Sequence, residues 1–197
     1  QINKGVDVVK EQFIRLGKEL GAKVATAGLS FDSAWKIHKE LEEAMRKRGR
    51  EALAEIEADP DRMGIVLFGR PYNAFAPEAN KGIPHKFASR GYTLIPMDFL
   101  DVRKISPAHR MYWSMGQIIL KAAEVVKVHP QLFGTYITNF SCGPDSFIVG
   151  FFRNILGTKP SLTLELDNHT AAAGLETRIE AFVDIVARYR AMENKSE

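Results

Sequence analysis

An α/β fold, doubly wound around a mostly parallel four-stranded sheet and preceded by an N-terminal helical extension, is what this sequence predicts. Three observations carry the prediction. Residues 6–58 hold helical periodicity and no convincing strand. From Met63 onward, short apolar runs closed by Gly, Pro, Asn or Asp alternate with helical stretches. The strand runs lack strict polar alternation, as expected of parallel strands covered on both faces.

The extension reads first as a helix from Val6 to Leu20. After Gly21 to Ser30, a long second helix opens at the candidate caps Ser30 and Asp32. Ile37, Leu41, Met45, Ala52 and Ile56 recur at spacings that put them on or near one stripe of it. Glu42 with Arg46 and Glu43 with Lys47 are four residues apart, a spacing that supports an exposed helix face. The run Arg46-Lys47-Arg48-Gly49-Arg50 reads as a phosphate-binding patch or as a solvated face, and the interleaved glutamates favour the second. Asp59-Pro60-Asp61 ends the segment. Residues 1–61 are thus expected to form a helical extension, and 62–197 the α/β domain.

Four strands are expected in that domain: Gly64 to Phe68, Tyr92 to Pro96, Gly134 to Asn139 and Ser161 to Glu165. Between them, Met111, Met115, Ile118, Ile119, Ala122 and Val126 make one helical stripe, and Leu175, Ile179, Phe182, Val183 and Val186 another. Met111-Tyr112-Trp113-Ser114-Met115 reads as a core face. The helix after Cys142 is apolar around much of its circumference (Phe147, Ile148, Phe151, Phe152, Ile155), which predicts that it is largely buried.

Composition narrows the function classes. With 45% hydrophobic and 26% charged residues in 197, the chain can bury a core, which excludes a disordered or fibrous protein. A net charge of +3 is too slight to indicate nucleic-acid binding. One cysteine excludes an internal disulfide and points to a reducing, cytoplasmic setting. No apolar run approaches the roughly 20 residues of a membrane helix. The N-terminus lacks a signal-peptide pattern, and a start at Gln1 suggests a piece of a longer protein.

Ligands of open parallel sheets bind beyond the strand carboxyl ends. Here the first strand runs into Gly69-Arg70-Pro71-Tyr72-Asn73 and the second into Met97-Asp98-Phe99. The third runs into Asn139-Phe140-Ser141-Cys142-Gly143-Pro144-Asp145, and the fourth into Asp167-Asn168-His169. Cys142 stands out, because Gly143, Pro144 and Asp145 suit a helix first turn, where the dipole and free N–H groups favour a thiolate. The alternative is a small residue that merely fits a tight turn. Arg70 suits an anionic group, or a surface salt bridge. Asp167 and His169 could pair or hold a metal, yet an aspartate capping the following turn explains the same residues. There is neither G-x-G-x-x-G after a strand nor G-x-x-x-x-G-K-[ST], which disfavours dinucleotide binding and P-loop hydrolysis. His38, His109 and His129 have no accompanying ligand pattern.

Several segments together resemble the C-terminal α/β domain of the 2-hydroxyacyl-CoA dehydratase family, as found in large CoA-substrate-specific enzyme activases. They are Phe68 to Asn73, Ile83-Pro84 with Gly91-Tyr92, Ile95 to Asp98, Asn139 to Phe147, and Glu165 to His169 followed by Gly174 and Thr177-Arg178. The resemblance implies a flavodoxin-like domain in an anaerobic system, where an ATP-dependent activator passes an electron to a component holding a [4Fe–4S] cluster. It makes Cys142 a cluster ligand. It leaves Arg70, Tyr72, Asn73, Asp98, Ser141, Asp145, Asp167 and His169 as candidate residues for a CoA thioester or other small anionic substrate. A cluster usually needs about four ligands, and this chain has one cysteine. The remaining ligands are therefore expected in a preceding domain, to which residues 1–61 form the helical connection, and the ATP-dependent activator elsewhere; the isolated chain is expected to be inactive. No residue is assigned a catalytic role. Two rivals stay open: a non-catalytic binding or regulatory module with a structural Cys142, and a thiol enzyme pairing Cys142 with His169.

Overall fold

A computed structural model describes residues 5–139 and 142–193, in two compact units, Gln1–Met45 and Arg46–Glu197. Ser141 therefore lies outside the described residues.

The first unit is a helical hairpin. Helix α1 spans Val6–Glu19, and α2 spans Val24–Glu57, running on into the second unit. α2 begins six residues earlier than Ser30, so Ser30 and Asp32 are interior positions rather than caps. Asp32 instead receives Lys10 Nζ at 2.7 Å, and Phe13 packs on Phe31 with ring centroids 5.6 Å apart. The expected apolar stripe divides: Ile37 and Leu41 are exposed, whereas Ala52 and Ile56 pack into the core of the second unit. Gly49 makes that packing close, since a Cβ there would stand 2.0 Å from the Phe99 carbonyl oxygen.

The second unit is the α/β layer. Strands β1 (Gly64–Phe68), β2 (Thr93–Pro96), β3 (Leu132–Asn139) and β4 (Ser161–Leu166) form one all-parallel sheet in the order β2-β1-β3-β4. This is the order of the first four strands of a flavodoxin-type sheet. The connecting helices are α3 (Pro71–Ala74), α4 (Ile83–Ala88), α5 (Ser114–Val128), α6 (Gly143–Leu156) and α7 (Ala172–Glu193), with a 3₁₀ turn at Met97–Phe99.

Alternate residues of β1, β2 and β3 feed two cores, as expected of pleated strands covered on both faces, whereas β4 gives Leu162, Leu164 and Leu166 to one of them. Val66, Phe68 and Tyr136 face the end of α2, α5 and α6; Ile65, Leu67, Phe133 and Ile137 face α4 and α7. Gln131 closes the turn between α2 and β1: its Nε2 donates to the carbonyls of Ile56, Asp59 and Arg62 at 2.8–3.0 Å.

Two expectations about burial are corrected. Ile148, Phe152 and Leu156 of α6 are buried, but Phe147 and Phe151 are 64% and 48% exposed. A helix lying on a sheet buries one side only, and on the outer side Trp113 packs on Phe147 with ring centroids 6.3 Å apart. Similarly, Met111 and Met115 pack on the core, but Tyr112 is exposed, because α5 starts only at Ser114.

Candidate functional site

The chain leaves β1 to reach β2 on one side and returns to β3 on the other, so the topological switch point, where open parallel sheets take ligands in a crevice, lies at the carboxyl ends of β1 and β3. Gly69 brings the two strand ends together. Its φ of 140° suits glycine, and a Cβ would stand 2.4 Å from the Ile137 carbonyl oxygen. The next residues, Arg70 and Asn73, are thereby set against the end of β3.

Cys142 is the N-cap of α6, as the Gly-Pro-Asp that follows it predicts. Its sulfur accepts the Asp145 backbone N–H at 3.4 Å and a second hydrogen bond from Arg70 Nη2. The guanidinium also faces the Asp145 carboxylate, with Nε 3.3 Å from Oδ1, and lies over the Tyr72 ring at 4.8 Å. Asp145 is 1% exposed and accepts hydrogen bonds from the Tyr136 and Thr138 hydroxyls, which is how a buried carboxylate is tolerated. Burial, reinforced by the Asp145 charge, pushes the Tyr136 phenol far above its ordinary range, so it stays a donor. Asn139 Nδ2 donates to Asn73 Oδ1 at 2.8 Å across the crevice.

Arg70, Tyr72, Asn73, Asp145 and Cys142 are thus brought together. Three other candidates take no part in these contacts. Asp98 follows β2, two strands from β3, and burial raises its pKa. Asp167 closes its own turn, accepting the Thr170 hydroxyl at 2.7 Å and the His169 backbone N–H at 2.9 Å, contacts that lower its pKa. This is the turn-capping role rather than a metal pair. His169 is exposed, and its ring makes no hydrogen bond among the described residues; β3 and β4 are neighbours, but the sulfur's partners are Arg70 and Asp145.

Sequence reasoning missed Tyr136 and Thr138. The signal available was two hydroxyl side chains at alternate positions of a strand too buried to leave them unpaired. It also missed the far side of Cys142. There a cleft of about 340 Å³ is lined by Thr138, Ser146 and Arg153 together with Thr163 and Glu165 of β4.

For an iron–sulfur cluster these residues offer one sulfur. No group of three His, Cys, Asp or Glu converges among the described residues, so they do not fit a complete cluster. No helix among them is long and apolar enough to cross a membrane.

No curated protein and no solved structure matches the chain. Residues 1–100 match the family model described as the CoA enzyme activase uncharacterised domain, covering the helical hairpin, β1 and β2, in agreement with the resemblance read from the sequence. The chain belongs to that family.

Proposed function

We propose that this chain acts as the α/β part of a CoA enzyme activase system. In this reading Cys142 supplies one thiolate to a [4Fe–4S] cluster whose other ligands come from further domains or from an ATP-dependent activator. The adjoining crevice takes a CoA thioester or another small anion in low-potential electron transfer. The observation that supports this best is the Cys142 sulfur itself, set at the N-terminus of α6 against the Arg70 guanidinium, where a negative sulfur is favoured. A single cysteine fits a reducing, cytoplasmic setting.

The test is iron and acid-labile sulfide content, with the visible spectrum, of the natural gene product purified without oxygen, beside Cys142→Ala. Iron that falls in the variant is expected. Iron unchanged by the substitution, or an iron-free and colourless protein, overturns the cluster role. A second reading has an observation of its own: the sulfur caps α6 and is hydrogen-bonded twice, as a structural residue would be. Under that reading Cys142→Ser leaves both metal content and partner activity intact.

A further inference from the structure

Two donors at the β1/β3 crevice are without an acceptor among the described residues. Asn73 is 1% exposed; its Oδ1 is held by Asn139 at the end of β3, which sets the carboxamide in the gap between the strand ends, and its Nδ2 has no partner. Arg70 Nε stands 3.3 Å from Asp145 Oδ1, close enough for an ion pair, but its N–H makes no hydrogen bond. Leaving a buried donor unmade costs roughly 1–3 kcal/mol, which favours an acceptor from outside.

The surroundings decide what kind of acceptor. A guanidinium, a carboxamide N–H and the N-terminus of the 14-residue helix α6 all favour negative oxygen. The buried Asp145 carboxylate opposes an anion, and the two hydroxyls it receives, together with the Arg70 charge, offset that opposition. The same guanidinium donates to the Cys142 sulfur through Nη2. An oxyanion that takes Arg70 must compete with the sulfur for it.

We infer that the β1/β3 crevice binds a phosphate-class oxyanion through Arg70 and Asn73, and that its binding draws Arg70 from Cys142, so that anion occupancy controls the sulfur. This rests on the reading of the crevice as an anion site, not on the cluster role. Coupling of this kind is reciprocal: whatever the anion does to the sulfur, the sulfur does to anion affinity.

The chain's one cysteine makes the coupling readable. Alkylation of Cys142 by iodoacetamide is followed in inorganic phosphate, in acetate and in chloride at equal ionic strength. Phosphate is expected to slow it saturably, by about 5-fold, through loss of the guanidinium and the added negative charge. Asn73→Asp, which keeps the acceptor for Asn139 but removes the unpaired donor, is expected to abolish the protection; Arg70→Gln gives the same expectation should the first variant not fold. By calorimetry, Cys142→Ala frees the guanidinium and is expected to bind phosphate about 5-fold more tightly. The inference is overturned by an alkylation rate indifferent to phosphate, by protection that survives in both variants, or by unchanged affinity in Cys142→Ala. Protection by acetate alone overturns the phosphate class. Iron lost in Cys142→Ala with no phosphate effect would remove this inference only; phosphate coupling in an iron-free protein would remove only the cluster role.

Discussion

Lys159 is 7% exposed and donates to the carbonyls of Val126, at 2.7 Å, and His129, where α5 ends. Burial lowers its pKa from 10.5 to about 8, partly offset by Glu193. Between those two values the unfolded chain binds the proton and the folded chain does not, so the Lys159 contribution to stability rises with pH through that window. Tyr136 acts in the opposite sense. Its folded pKa lies far above 10, so the unfolded chain alone loses that proton and stability falls above about pH 10. Urea midpoints across the alkaline range are expected to show the rise for the wild type and not for Lys159→Met, a difference on the order of 1 kcal/mol after allowing for residual solvent. A flat difference between the two proteins would mean that Lys159 is not desolvated. At this scale the candidate site was half legible. Cys142 could be placed because Gly143-Pro144-Asp145 is a helix opening in its own right. The Asp145 network could not, because it depends on which strand faces α6, and nothing local to Tyr136 or Thr138 encodes that.

Among the elements, α6 separates what periodicity tells from what it omits. Apolar spacing placed the helix correctly and could not say how many of its sides are covered. Phe152 meets Phe68 and Tyr136 with ring centroids 4.8 and 5.3 Å apart, whereas Phe151 looks outward. Phe152→Ala is expected to cost about 3–5 kcal/mol in urea unfolding, and Phe151→Ser under about 1 kcal/mol. Comparable losses for the two would show the outer face to be covered in solution. Strands were the most legible elements. β1 was expected over the residues it occupies, and β2, β3 and β4 differ at their ends by one or two residues, because uninterrupted apolar runs between turn residues have few other uses. The start of α2 was misread because Gly28 and Ser30, which read as loop and cap residues, are carried inside a helix that packs through Ala27 and Phe31.

In the molecule as a whole, apolar burial is unevenly shared. The hairpin unit contributes Ala27 and Phe31 to the buried hydrophobic residues, and the α/β unit contributes the rest, in two cores flanking the sheet. Local opening follows buried contacts. Amide hydrogens of α1 are therefore expected to exchange at least about 100-fold faster than those of β3, as read by mass spectrometry of peptic fragments. Equal protection would mean that the hairpin is held by more than its own contacts. The Gln131 clamp joins segments far apart in the sequence. β1 and β3 pair in parallel although Gly64 and its partner Leu132 are far apart in the chain, and such non-local pairing makes for slow folding. The Gln131 amide, with two hydrogens shared among three carbonyls at the entrance to β1, and the Gly64 N–H donated to the Gln131 carbonyl at 2.9 Å align the central strands at their first residues. A neutral side chain at the amino-terminal ends of β1 and β3 thus holds, in the folded chain, the register that carries through to the end with Arg70 and Cys142.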